Sequence, residues 1–354
     1  MRTETAATFY RRMFFLGLLL GSILSTDALA GVVVLDKQAF PPERRYAGDC
    51  GVEISGRIDA ATVSQFKAIF EKLAAQPGAA FVGAGEWGMN VCLAAEEGDA
   101  AAAADLADFF ADAKIGTVVA PGRRCTGPCA LAFMGGTVDL NSEFGPLRRM
   151  WPDSVLGFSL DTETPSPAAP YAQLARMLTA GSLIKNRDGD VHTIARRFPL
   201  EVVLELLRDA DGPVFFVDSL HKAAVLEIEL VGIPEATLDN RGLTGLCKAA
   251  FLLNSDMPLS EPVGRALEAA VEEISPAEPL PGQNTFGAPA LNFSWGAMNP
   301  IDCSVADLGR GTYLVQTGDI RSDHMRSRLL KSYNGLPLAT RLEEIEALMP
   351  AISR

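Results

Sequence analysis

Two stretches decide the fold: VEISGRIDAATVSQFKAIFEKLA over residues 52–74 and MNVCLAAEEGDAAAAADLADFFADAKIGTVVA over residues 89–120. In the first, Val52, Ile54 and Ile58 alternate with polar residues around Gly56, the period of a strand. Asp59 then offers a carboxylate to cap a helix whose Val63, Phe66, Ile69, Phe70 and Leu73 fall on one face, with Gln76-Pro77-Gly78 to end it. The second stretch repeats the plan. A strand over Met89 to Ala94 leads to Asp99, which caps an alanine-rich helix anchored by Leu106, Phe109 and Phe110. Gly116 stops that helix before a strand over Thr117 to Ala120. The order is β-α-β-α-β, and strands joined by helices of this length pair in parallel through right-handed crossovers.

Working outward, the pattern predicts a helix over Cys129 to Met134 and a strand over Val155 to Leu160. Residues 161–170, rich in Pro, Ser, Thr and Ala, read as an exposed loop before a helix from Tyr171 to about Leu183. A helix over Leu200 to Leu207 and an apolar strand over Val214 to Val217 follow. Beyond about Leu246 the periodicity weakens behind Pro276, Pro279 and Pro281, with one clear strand at Tyr313 to Gln316. The division expected is a first domain over 31–245 and a small C-terminal α+β region over 246–354.

Residues 1–30 have the parts of a secretory signal: Arg11 and Arg12, an apolar run from Met13 to Ile23, and the small-residue tripeptide Ala28-Leu29-Ala30. The apolar run is shorter than the ~20 residues of a membrane-spanning helix. Export with cleavage after Ala30 is therefore expected, to the periplasm or beyond, with no stable membrane anchor left. The Arg11-Arg12-Met13-Phe14-Phe15 segment keeps a twin-arginine route open beside the general one. One net positive charge leaves with this segment, so the formal charge moves from −13 to −14. That sign repels nucleic-acid phosphates and anionic lipid surfaces.

All six cysteines, Cys50, Cys92, Cys125, Cys129, Cys247 and Cys303, lie beyond the cleavage point. An even number in an exported chain predicts disulfides rather than a metal site, and spacing alone does not give the connectivity. Cys125 is expected to bond outside its own turn, to Cys92, or to Cys129 only where the fold brings the Cα atoms within ~7 Å. No histidine among His192, His221 and His324 has ligand spacing to Cys125-x-x-x-Cys129, so no metal is expected.

The run Val91-Cys92-Leu93-Ala94-Ala95-Glu96-Glu97-Gly98-Asp99, followed by helix, strand and Cys125-Thr126-Gly127-Pro128-Cys129-Ala130, resembles the ClpP/crotonase superfamily, most closely its exported branch. The resemblance spans roughly residues 47–235 and implies a ββα spiral with right-handed crossovers. It also implies Asn-Ser-Pro-Gly-Gly after the first strand, a nucleophilic serine inside Cys-x-Ser-x-Cys-Ala, and a histidine closing the strand that here reads Leu156-Gly157-Phe158-Ser159. On that alignment the nucleophile position holds Gly127, which has no group to attack with. Ser159 stands at the base position, and a neutral hydroxyl does not accept a proton near pH 7. The residue after the nucleophile, whose N–H the family uses for the oxyanion, is Pro128, which has none. Glu97 replaces the first glycine of the pair and puts a carboxylate where negative charge would develop; Gly98 alone keeps the pattern. The family's acid falls loosely near Asp211 or Asp218.

The reading expected is an exported pseudoenzyme that binds or scaffolds an unidentified protein or peptide, with a homo-oligomer left open, without a cofactor. The alternative is an active serine hydrolase with relocated groups, Ser154 or Ser159 working with His221. His221 reads better as the first turn of a helix, His192 as part of the polar loop Arg187 to His192, and Trp87 and Trp151, which could line a ligand pocket, as core or rim. Arg123, Arg124, Arg148 and Arg149 could meet at the degenerate turn to hold an acidic ligand, or pair with Glu96 and Glu97. Coenzyme A chemistry requires a cytoplasmic cofactor that an exported chain does not meet.

Overall fold

In the computed structural model, the described residues are 31–35, 50–75, 89–140, 143–160, 172–173, 175–177, 181–185, 191–196, 198–208, 214–254, 280–283, 289–295, 301–318 and 326–351. The expected signal, Trp87, Asp211 and the loop over 161–170 lie outside them.

The chain is a mixed α/β protein. Its central sheet contains β1 (Gly31–Val34), β2 (Val52–Ile58), β3 (Asn90–Gly98), β4 (Gly116–Val119), β8 (Arg148–Met150) and β13 (Ile228–Leu230), in that order. Every neighbouring pair is parallel except β1 with β2. The first two helices are α1 (Ala60–Ala74) and α2 (Ala100–Ala113). The Asp59 carboxylate accepts from the Thr62 N–H at 2.9 Å, and the Asp99 carboxylate accepts from the Ala102 N–H at 2.8 Å. These bonds satisfy donors that a helix start leaves open. Phe66 and Phe110, both fully buried, meet edge to face at 5.4 Å, and Phe109 packs on Phe66 and Phe70 in the same way. Aromatic contacts thus join the two helices on one face of the sheet.

A second sheet carries the turn of interest. It is built from β12 (Phe215–Phe216), β9 (Val155–Phe158) and β5 (Arg124–Thr126), with β9 central. The chain leaves β5 through Gly127 into α3 (Pro128–Phe133), whose five residues from Cys129 to Phe133 are all buried. The hairpin β6 (Thr137–Leu140) and β7 (Glu143–Pro146) precedes β8.

Two expectations along this part are corrected. The helix expected to reach Leu183 gives way to a hairpin of β10 (Gly181–Lys185) and β11 (Val191–Arg196). Asp188-Gly189 between two short runs is hairpin-turn chemistry, and it outweighs the helical period read across Gly181. By the same pairing His192 lies in β11, not in a loop.

Next come α4 (Leu200–Arg208), α5 (Leu220–Val225) and α6 (Asn240–Asn254). The C-terminal part is an antiparallel sheet of β14 (Leu280–Gln283), β15 (Pro289–Trp295), β16 (Ile301–Asp307), β17 (Thr312–Gly318) and β18 (Arg326–Lys331), followed by the short helix α7 (Ile345–Leu348). Residue 246, where the composition changes, lies inside α6, and this helix packs on the C-terminal sheet through the Cys247–Cys303 disulfide. Two tyrosines bind the sheet to the rest. The Tyr313 hydroxyl accepts from the Leu238 N–H at 3.1 Å, and the Tyr333 hydroxyl accepts from the Leu230 N–H at 3.0 Å. Both ring bodies are buried, so each hydroxyl needs the partner it has.

All six cysteines are paired, as Cys50–Cys92, Cys125–Cys129 and Cys247–Cys303. The expectation that Cys125 bonds outside its own turn is corrected: the strand-to-helix turn at Gly127 folds the chain back so that the Cα atoms of Cys125 and Cys129 stand 5.1 Å apart. That separation suits a disulfide.

Candidate functional site

The parallel ladder between β5 and β9 sets the geometry of the site. Cys125 pairs with Leu156 and Thr126 with Gly157, and the Gly127 N–H continues the ladder to the Gly157 carbonyl at 2.9 Å. Ser159, two residues further along the second strand's path, therefore comes beside Gly127. A Cβ built on Gly127 would stand 3.2 Å from the Ser159 Oγ. The two positions that the sequence aligned with a nucleophile and its base are thus neighbours in space.

Gly127 has φ 57° and ψ −120°. This combination lies outside the regions open to residues with a Cβ, and a sharp strand-to-helix turn is a place where nucleophilic hydroxyls are held in strained conformations. The turn is present here without the hydroxyl. Gly127 is itself buried, and Pro128 begins α3 with no N–H to offer. Proline is well suited to a first helical position, so Pro128 starts the helix cleanly.

The Glu96-Glu97-Gly98 end of β3 is held close to the same turn by the ion pair of Glu96 with Arg124 at 2.9 Å, three residues before Gly127. Glu97 turns to Arg57 on β2, at 3.5 Å and with both side chains at least half exposed. Gly98 has φ 154°, and a Cβ there would meet the Ile58 carbonyl oxygen at 2.4 Å, because the Asp99 N–H closes on that carbonyl at 2.8 Å. A backbone reason therefore fixes glycine at 98 irrespective of chemistry.

Of the groups considered for relocated chemistry, the Ser154 hydroxyl is engaged elsewhere. Ser154 is buried and its hydroxyl donates to the Trp151 carbonyl at 2.6 Å. The Ser159 carbonyl accepts from Gln173 Nε2 at 3.2 Å. His221 is the second residue of α5, whose cap is the Ser219 hydroxyl accepting from the Lys222 N–H. Burial first, and then the neighbouring Lys222 charge, lowers the imidazole pKa below its ordinary value. Asp218 pairs with Lys222 at 2.7 Å.

The four arginines do not gather into one cluster. Arg124 pairs with Glu96, and Arg123 with Glu53 at 3.2 Å. Arg148 and Arg149 sit on β8 in the central sheet; Arg148 donates to the Leu226 carbonyl at 3.1 Å and Arg149 binds Glu229 at 2.7 Å. Glu229 also meets Lys331 of β18 at 3.2 Å. Burial would raise the Glu229 pKa, but the two cations overcome it and hold the carboxyl below its ordinary range. Sequence reasoning missed this triad, which links the central sheet to the C-terminal one, because Glu229 and Lys331 carry no motif. Trp151 lies against Gly232, where a Cβ would overlap its ring, so its indole serves packing.

No family model and no curated protein matches the sequence. Among solved structures, similarity is found to two mutants of the 1510-N membrane-bound stomatin-specific protease, one of them in complex with a substrate peptide. The likeness is distant. The TM-score is 0.24 for both, at 16% and 15% identity, over 36% of this chain. The matched part spans 59% and 56% of those proteins, less than two thirds of either. At that score it lends this chain neither residues nor an activity.

Proposed function

We propose that this chain is an exported, non-catalytic member of the ClpP/crotonase kind that binds or scaffolds a protein or peptide outside the cytoplasm. The observation that carries the reading is the pairing of Gly127 with Ser159. The spot where a Cβ would project toward a base holds no side chain, and the facing group is a hydroxyl at 3.2 Å. With Pro128 following, the turn lacks nucleophile, imidazole and oxyanion donor together. Losing one oxyanion donor alone typically costs about a hundredfold to a thousandfold in rate. Export is supported by three disulfides. Among the described residues no helix is long and apolar enough to cross a membrane.

Hydrolysis of activated acyl esters and of casein-type peptides by the purified disulfide-bonded protein tests the reading. Rates equal to those of a heat-inactivated control are expected. Turnover above that control which disappears in Ser154→Ala, Ser159→Ala or His221→Gln would replace the proposal with a relocated hydrolase.

A further inference from the structure

A groove of 530 Å³ runs between α6 and the segment from Gly335 to Ala351, and it shares no residue with the Gly127 turn. Its size lies in the range of roughly 300–1,000 Å³ in which proteins hold small molecules. Leu252, Leu336 and Leu338 line it and are almost fully buried, while Leu348 is 39% exposed and offers further apolar surface along the groove.

The charge on its wall is one-sided. Arg241 and Lys248 line the groove from α6, and among the described residues no aspartate or glutamate lines it. They are seven residues apart, about two turns and ~10 Å along the axis, and so project from one helix face. Thr244 lies between them on the same wall. Neither cation enters an ion pair among the described residues, as Lys67, Lys72 and Arg310 also do not, whereas Arg57, Arg123, Arg124, Arg149, Arg176, Lys222, Lys331 and Arg341 do. In a chain of formal charge −13, carboxylates to pair with are abundant. Leaving two cations uncommitted beside an apolar floor fits a ligand that brings its own anion.

We propose that this groove binds a small aliphatic carboxylic acid, with the carboxylate between Arg241 and Lys248 and the hydrocarbon chain along α6 toward Leu252. Direction follows from the helix: Arg241 lies in its first turn, Thr244 and Lys248 follow at the next two turns on the same face, and Leu252 lies one turn beyond Lys248. Apolar burial supplies affinity and the charge pair supplies orientation.

Titration calorimetry on the purified protein, with octanoate, 1-octanol and octylamine as probes, tests this. Octanoate is expected to bind at least tenfold more tightly than 1-octanol, and octylamine not to bind. In Arg241→Ala/Lys248→Ala, octanoate should fall to the affinity of 1-octanol. Lys248→Glu should weaken octanoate and admit octylamine, which shows that the groove is still formed. Equal affinity for octanoate and 1-octanol would overturn the proposal. So would unchanged octanoate binding in the double variant, or no octanoate binding to a protein that unfolds cooperatively.

Discussion

Replacing Gly127 by alanine tests the turn directly, because two costs can be separated there. The first is conformational. With φ 57° and ψ −120°, a Cβ is forced into a region that costs about 1–3 kcal/mol. The second is steric, since that Cβ meets the Ser159 Oγ at 3.2 Å, tighter than an ordinary contact. Gly122 is the control: its φ is 65° and no atom lies within 4 Å of its Cβ position, so Gly122→Ala should carry only the left-handed penalty, roughly 1–2 kcal/mol. Gly127→Ala should cost about 1 kcal/mol more than Gly122→Ala. Ser159→Ala removes the opposing oxygen, and a double-mutant cycle between 127 and 159 should show a coupling of roughly 0.5–1 kcal/mol, above the ~0.3–0.5 kcal/mol within which distant pairs add. Urea denaturation of the native chain, the two single variants, the double variant and Gly122→Ala, with probes of both secondary and tertiary structure, measures it. If Gly127→Ala were no more costly than Gly122→Ala, and additive with Ser159→Ala, the two positions would not be neighbours and the alignment of the degenerate site would fail.

Three further outcomes follow from the contacts. Gly98→Ala places a Cβ 2.4 Å from a backbone oxygen and should destabilise by about 3 kcal/mol or more, read as a loss of folded yield or of denaturation midpoint. The disulfides close spans of 42, 4 and 56 residues for Cys50–Cys92, Cys125–Cys129 and Cys247–Cys303. On loop entropy alone the two long spans are worth ~4 kcal/mol each and the short one ~2 kcal/mol, so paired Cys→Ser variants should rank in that order in thermal unfolding. The third outcome concerns pH. His221 has a folded pKa below its ordinary 6.5, so the unfolded chain binds more protons just beneath that value and stability should fall as pH drops through 6.5; His221→Gln should flatten this part of the profile. The lowered Glu229 carboxyl gives stability that is present above its ordinary 4.5 and lost as pH falls through its folded pKa, which urea midpoints across an acid series would show.

The alternation of Val52, Ile54 and Ile58 and the aspartates at 59 and 99 were enough to place the β-α-β-α-β start, because period and capping are local signals. The relation of Gly127 to Ser159 came from the family resemblance and not from a local signal: no strand over Arg124–Thr126 was expected, and it is the parallel pairing of β5 with β9 that brings the two positions together. The hairpin of β10 and β11 was misread as the end of a helix because a turn signal within a few residues competed with a longer apolar period. The partner of Cys125 depended on the backbone at Gly127, which composition does not reveal. Buried links such as Arg149 to Glu229 to Lys331 are set by strand order, and strands distant in sequence give no local cue to it.

Absence of acyl chemistry at the turn is the central claim, and a fluorophosphonate probe with mass-spectrometric localisation measures it most directly. Labelling should be absent in the native chain and in Gly127→Ser, since the new hydroxyl faces Ser159 rather than a base and Pro128 offers no N–H to the oxyanion. Only Gly127→Ser combined with Ser159→His, Pro128→Ala and Glu97→Gly should take the probe, at position 127. Labelling of any serine in the unmodified protein, abolished by prior heat inactivation, would contradict the account.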